Sequence, residues 1–403
     1  MKQRARTNAD GWIDTRTPVV VVGGSNNGLG ALRSLARTRI PCFFLYNDSG
    51  DPAVSTRFGT KVRVPGMNIR DLVPALRQIR ESCGVAPVLI LTNDLTTASL
   101  SECREELEGL IQLPLPDRAM VSALLEKDAC VDLYRRSGVL QPETVGLSPG
   151  DGTGALEGLP LPWILKPADK PEGYSARFEK AYILRSAEAA GNVLASMAGF
   201  VEHVVVQQLI EGPESEVYFC LTVMDAEGGL AASFVGRKLN SWPPMFGVTA
   251  RCVPAPEAAE ELTAVTHRFF KQAGVCGFAA LEFKRDVRDN RFYVIEPTVF
   301  RPDFQAEIAT LNGINLPLAY YCVLTGQPVP PMAPGAQSRG WVESAYMRWL
   351  RIATDAPVAG TTPMPMVDAY WRWSDPGPWL KLNSDRFVSR MSKMLKGSRR
   401  AAG

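Results

Sequence analysis

Apolar positions change texture along the chain near residue 145. Before it they come in short, unbroken runs; after it they fall in short strands interrupted by helical stretches. Pro18 to Val22 is such a run, followed at once by Gly23-Gly24-Ser25-Asn26-Asn27-Gly28-Leu29-Gly30. A helix predicted from about Ala31 to Thr38 comes next, and Pro41 to Tyr46 reads as a second strand. Strand, glycine turn, helix and strand make a βαβ unit on a parallel sheet. Val88 to Thr92 is a further buried strand ending in Asn93-Asp94, so residues 18–115 read as one α/β domain behind an N-terminal tail, 1–17. Asp117 to Gly138 reads as a single helix, closed by Pro142. Strands are then predicted near 163–166, 180–184, 204–207 and 216–223, with helices near 187–197 and 257–273, an α+β pattern. Pro328 to Gly335 is a proline-rich break, and 329–403 forms a C-terminal extension carrying Trp371, Trp373 and Trp379 ahead of a basic tail.

Leu281 to Thr298 carries the chemistry. Its two arms are apolar or alternating, and Arg288-Asp289-Asn290 between them is turn material, so the segment predicts a β-hairpin. A three-residue loop centred on Asp289 places Glu282 opposite Glu296. β-Carbons so paired lie roughly 4.5–5.5 Å apart, where like charges repel. Two carboxylates at that separation need a cation between them or a raised pKa. Thr298 projects from the same face and adds a neutral oxygen. This all-oxygen set suits Mg²⁺, which takes few protein ligands beside phosphate and water. The plainer alternative is an exposed hairpin whose acids pair with Lys284 or Arg291.

Composition narrows the field. Hydrophobic residues make up 46% and charged residues 21% of 403, with a formal charge of +2. Such a balance builds cores and gives no global basic field to attract nucleic acid. Eight scattered cysteines without a C-x-x-C pair argue against a zinc site or a disulfide framework, and for a reducing cytoplasm. The glycines of Gly23 to Gly30 fall as G-G-x-x-x-G-x-G, and only Asp48 stands near a ribose-binding position, which counts against a nicotinamide dinucleotide site. His203 and His267 lack metal-ligand spacing and read as structural.

The hairpin, ending in Ile295-Glu-Pro-Thr298 with Arg301 beyond it, resembles the metal-binding hairpin of the ATP-grasp superfamily, in particular its carboxylate–amine ligases of the D-aspartate ligase and carbamoyl-phosphate synthase kind. Upstream, Leu125-Glu-Lys-Asp128 before Ser137-Gly-Val-Leu-Gln-Pro142 is similar to the family's lysine helix, and Trp163-Ile-Leu-Lys-Pro167 to the strand presenting its second lysine. Val204 to Glu214 resembles the hinge strand, and Gly236-Arg-Lys-Leu-Asn240 with Trp242-Pro-Pro-Met-Phe-Gly247 and Arg251 resembles a block common in these ligases. The resemblance implies ATP and Mg²⁺, with Mn²⁺ as an alternative. Lys127 and Lys166 would neutralise phosphate, and Gln207, Gln208 and Ile210 would read the adenine. Glu214 or Glu216 would take the ribose, the choice staying open. Glu282, Glu296 and Thr298 would hold the metal, while Arg301, Lys238 and Arg237 stabilise transferring charge. Thr298 stands where the family usually has asparagine, Arg301 follows the acid by five positions instead of four, and the lid segment Ala168 to Glu179 holds only Gly173.

The implied architecture is a Rossmann-like α/β domain ahead of a two-lobed ATP-grasp domain, 116–328, with a small lobe at about 145–212 and a large lobe at about 213–328. The implied activity is an ADP-forming ligase that joins a small carboxylate to an amine, both amino acids or their derivatives, through an acyl-phosphate. A nucleotide-binding module without turnover is the second reading. The chain is expected to be cytoplasmic, without a signal peptide, with a homodimer as an open alternative. Arg386 to Gly403 holds six basic residues and no acid, partly amphipathic, which suggests contact with an anionic membrane or an acidic partner; a frayed terminus is the plainer reading.

Overall fold

The computed structural model describes residues 5–6, 12–125, 130–168, 173–179, 181–245, 247–354 and 364–384. Valines at 19–22 form strand β1 (Val19–Val22), buried on both faces as a central parallel strand requires. Helix α1 (Ser25–Leu35) follows, then β2 (Cys42–Tyr46), β3 (Thr60–Arg63), α2 (Ile69–Cys83), β4 (Val88–Leu91) and α3 (Asp94–Glu102). The four strands pair in parallel in the order β3-β2-β1-β4. α1 starts six residues earlier than its apolar pattern predicts. Gly28 and Gly30 sit inside it, and at Gly30 an added β-carbon would lie 3.0 Å from that of Glu307. The glycine therefore permits close helix packing where propensity alone argued for a turn.

Of the helix expected over 117–138, the described residues form α4 (Arg118–Leu125) and α5 (Cys130–Arg136), and 126–129 lie outside the described residues. Beyond them an antiparallel sheet of four strands forms the small lobe: β5 (Thr144–Leu147), β6 (Trp163–Pro167), β7 (Tyr182–Leu184) and β8 (Val204–Gln208), ordered β5-β8-β6-β7. Helix α6 (Ala187–Met197), between β7 and β8, starts and ends where its pattern predicts. Val204, Val206 and Leu165 point into the lobe core, so Val205, Gln207, Ile164 and Lys166 face the other way.

The large lobe is built on β9 (Val217–Met224), β10 (Leu230–Trp242), β11 (Val248–Pro254), β12 (Gly277–Arg285) and β13 (Phe292–Val299), ordered β13-β12-β9-β10-β11. Helix α7 (Ala259–Gln272) covers one face, through Leu262, Phe269 and Phe270. On the other, a core shared with the N-terminal domain joins Phe219, Leu221 and Phe278 to Leu29, Leu32 and Tyr320. Two short helices, α8 (Glu307–Leu311) and α9 (Leu316–Leu324), supply part of that core.

The C-terminal extension is part of the same sheet. β14 (Gly340–Val342) pairs antiparallel with β11, and after α10 (Ser344–Thr354) the chain returns as β15 (Met366–Asp368), parallel to β14. It is then tied to the N-terminal domain by a buried ion pair. Arg33 Nε lies 3.0 Å from Asp375 Oδ2, and the two side chains are only 6% and 1% exposed. Asp375 also accepts from Thr56 Oγ1 at 2.7 Å and the Arg57 amide at 2.9 Å. All eight cysteines are unpaired thiols. Among the described residues no helix is long and apolar enough to cross a membrane.

Removing one partner of a buried, fully hydrogen-bonded pair strands the other charge. Asp375→Ala is expected to cost about 3–5 kcal/mol of unfolding free energy, measured by urea denaturation, with Asp375→Asn costing less.

Candidate active site

The hairpin β12–β13 brings Glu282 and Glu296 together as Cα partners, by a route the sequence does not spell out. Near the turn, Arg285 pairs with Phe292, Lys284 with Tyr293 and Phe283 with Val294. Continued regularly, that register would set Ile295 opposite Glu282 and send Glu296 to the apolar face beside Leu281. A β-bulge between Glu282 and Phe283 shifts the pairing by one and turns Glu296 onto the face of Glu282. Ile295, the extra residue, lines the adjoining cleft. Thr298 pairs with Ala280 two positions on, on the same face as Glu296.

Glu282 has a partner from a distant strand. Lys238 Nζ on β10 lies 2.5 Å from Glu282 Oε2, with the two side chains 8% and 18% exposed. Burial works against the Lys238 charge, but Glu282, Asp303 and Glu296 outweigh it and raise its pKa. Burial pushes the Glu282 carboxyl up against the pull of Lys238, and the charges of Glu296 and Asp303 add to the rise. Three acids thus act on the Lys238 ammonium, and two of them, Asp303 and Glu296, act on the Arg301 guanidinium as well. The exposed-hairpin alternative does not describe the contacts, because Lys284 donates to the Gly212 carbonyl at 2.8 Å and the Pro213 carbonyl at 2.5 Å.

Arg237, expected beside Lys238, is on the other face of β10. Adjacent strand residues point oppositely, and its guanidinium sits 5.8 Å from the ring centre of Tyr218, its strand partner, on the side of the α7 core. Arg301 leaves the hairpin in another direction. Phe300, with φ +61°, turns the chain, and Arg301 Nε and Nη2 reach Asp94 Oδ1 and Oδ2 at 2.5 and 3.1 Å. The guanidinium therefore bridges the hairpin to the first turn of α3, with Asp303 and Glu296 close enough to add to its positive state. Nearby, Asn27 Nδ2 donates to the Thr92 and Pro302 carbonyls at 2.8 and 3.2 Å.

The opposite wall is the cleft face of the small lobe. A cavity of about 330 Å³ lies between Ile164, Lys166 and Gln207 on that wall and Glu282, Lys284 and Ile295 on the hairpin. A second, of about 940 Å³, shares Lys166, Gln207 and Ile295 and continues the cleft toward Tyr134 and His203. Gln208 and Ile210 lie at the hinge along the first cavity, and Gln207 Nε2 donates to Thr144 Oγ1 at 2.9 Å. Glu214 also lines it, accepting from the Ser241 amide at 3.3 Å and from the Met245 amide. Glu216 is engaged elsewhere, 2.6 Å from Arg285 Nε. Lys127 lies outside the described residues.

Sequence reasoning missed Asp303, whose signal was an acid two residues beyond Arg301, and the partnership of Lys238 with Glu282. Among the described residues no group of three or more His, Cys, Asp or Glu side chains could hold a metal ion alone. The pair Glu282 and Glu296 with the Thr298 hydroxyl is the kind of partial set that Mg²⁺ completes with phosphate and water.

A two-lobed cleft with an opposed acid pair on one wall and a lysine on the other, behind a parallel α/β domain, is the ATP-grasp fold. Among solved structures the chain is similar to N5-carboxyaminoimidazole synthetase from Staphylococcus aureus, at 13% identity over 84% of this chain and 86% of that one, with a TM-score of 0.61. It is similar to N5-carboxyaminoimidazole ribonucleotide synthetase from Thermus thermophilus at 19% identity over 78% and 80%, with a TM-score of 0.58. The biotin carboxylase domain of 2-oxoglutarate carboxylase from Hydrogenobacter thermophilus, solved with MgADP and bicarbonate, matches at 14% identity over 78% and 70%, with a TM-score of 0.56. No protein-family model and no curated protein matches the chain.

Lys238→Met removes the ammonium paired with Glu282. It is expected to lower stability at neutral pH by about 3 kcal/mol, read by denaturant unfolding, with part of the loss recovered on adding Mg²⁺.

Proposed function

We propose that the chain is an ATP-dependent ligase that activates a carboxylate as an acyl-phosphate and joins it to an amine, releasing ADP and phosphate. The observation that carries this reading is the opposed pair of Glu282 and Glu296 with Lys238 beside them, Glu282 lining a cleft whose other wall presents Lys166. Phosphoryl transfer needs little covalent help from protein groups; positioning and charge stabilisation suffice.

The donor set fits Mg²⁺, because two carboxylates stand in register on one sheet face with the Thr298 hydroxyl beside them. Glu282, Glu296 and the Thr298 hydroxyl would hold the ion, which when bound draws negative charge off the phosphate oxygens. Lys166 approaches the same phosphates as a mobile point charge. Gln207, Gln208 and Ile210 border the space for a base at the hinge, and Glu214 is the acid there able to accept from ribose hydroxyls. Lys238, beside Glu282, would neutralise the carboxylate as it takes the phosphoryl group. Arg301 holds the α/β domain against this centre through Asp94, which positions an acceptor bound between them and keeps water from the acyl-phosphate.

The second reading, a nucleotide-binding module without turnover, is favoured by the glycine-poor lid and by Thr298. Incubation with MgATP and a panel of amino-acid pairs separates the two: nucleotide binding without ADP release across the panel supports the module. Under the ligase reading Glu296→Gln is expected to lower kcat about 10²–10³-fold without unfolding the protein. Steady-state ADP release also tests the ribose assignment. Glu214→Gln is expected to raise KM for ATP about tenfold or more, the worth of a hydrogen bond to a charged group, and Glu216→Gln to leave it near the parent value.

A further inference from the structure

The C-terminal extension carries an aromatic platform that no step of the proposed reaction uses. Trp371 lies between two other indoles, edge to face, with ring centres 5.1 Å from Trp373 and 5.2 Å from Trp379. Trp373 is 88% exposed, and Leu380, on the helix at 377–384, is 55% exposed. The platform is also rigidly seated. Asp375, two residues beyond Trp373, is held by Arg33, Thr56 and Arg57 of the N-terminal domain. Gly377 lies so close to that domain that an added β-carbon would sit 2.0 Å from the Ser55 carbonyl oxygen. Two large apolar side chains are thus kept in water on a fixed support.

Residues 386–403 follow in the chain, outside the described residues, and hold Arg386, Arg390, Lys393, Lys396, Arg399 and Arg400 without a single acid. Phe387, Val388, Met391, Met394 and Leu395 are interleaved with them. We propose that this end of the protein binds an anionic lipid surface, with Trp373 and Leu380 entering the boundary between headgroups and acyl chains while the six cations meet anionic headgroups. Indole is suited to that boundary, with an apolar body and one polar N–H. A single apolar anchor or a few cations alone bind a bilayer weakly, and the two together bind it stably. An acidic protein surface would match the cations but leave Trp373 and Leu380 unexplained. The proposal is independent of the ligase reading.

Sedimentation of the full-length protein with vesicles tests it, at about 0.1 M salt, where charges still act over about 10 Å. Pelleting is expected with mixed phosphatidylcholine and phosphatidylserine vesicles and not with phosphatidylcholine alone. The exposed pair Trp373→Ser and Leu380→Ser should weaken it about tenfold with an unchanged unfolding midpoint, and truncation after Ser384 should weaken it further. Protein that stays in the supernatant with both vesicle types overturns the proposal, as does a doubly substituted protein that pellets like the parent. Binding that is competed away by soluble polyglutamate and indifferent to the double substitution assigns the tail to an acidic protein partner and overturns it equally.

Discussion

Like charges held face to face on one sheet are the constraint from which the rest of this site follows. Glu282 and Glu296 are backbone partners, so strand pairing fixes their proximity and side-chain motion relieves little of it. The sheet tolerates the arrangement because Lys238 reaches in from β10, two strands away, with an ammonium at 2.5 Å. Asp303 adds a third negative charge to the same neighbourhood, and Arg301 a second positive one. Two carboxylates fixed face to face form a partial oxygen set of the kind a divalent cation would complete.

The hairpin is also where the other parts of the molecule are fastened. Lys284, two residues past Glu282, grips the carbonyls of the Gly212-Pro213 turn, so the hinge between the lobes is hung from the strand that presents the acid. At the far end of β13, Phe300 turns the backbone through a left-handed conformation, at a cost of about 1–2 kcal/mol for a bulky residue. The turn aims Arg301 at Asp94 and leaves the Pro302 carbonyl for Asn27. The N-terminal domain is thereby registered against the acid pair through a short segment. The C-terminal extension reinforces this from behind, through Arg372 on Glu307 and Asp375 on Arg33.

The acid pair was legible in the sequence, although two features of the hairpin compensated. A loop centred on Asp289 sets Glu282 against Glu296, whereas the arms pair one residue out of that register until the bulge beside Ile295 restores it. Periodicity cannot locate a bulge, because one inserted residue leaves the apolar count of both arms intact. Strands β6 and β8 of the small lobe and helix α6 were legible for the opposite reason, because their buried faces repeat without interruption, whereas β5, with only Leu147 buried, was not predicted. Lys238 as the partner of Glu282 was not legible, since the contact joins residues far apart in sequence through two intervening ladders. The parity of Arg237 and Lys238 was readable in principle, because two neighbours on one strand cannot both face a cleft. Strands β14 and β15, three residues each, are too short for any period to show.

The glycines of the first turn illustrate how one composition serves two different physical ends. A dinucleotide turn needs its glycines so that backbone amides can approach a pyrophosphate at the start of a helix. In this chain a carboxylate of the protein already stands there: Asp51 Oδ2 accepts from the Ser25 amide at 2.8 Å, and burial pushes its carboxyl pKa up. A phosphate brought to the same amide would meet that acid. Gly30, further along the helix, makes room for Glu307, which in turn holds Arg372 of the extension at 2.8 Å. The glycine run therefore works by letting α1 lie against the segment that follows the metal hairpin, and its contribution to chemistry passes through Asn27 and Arg301 by position alone.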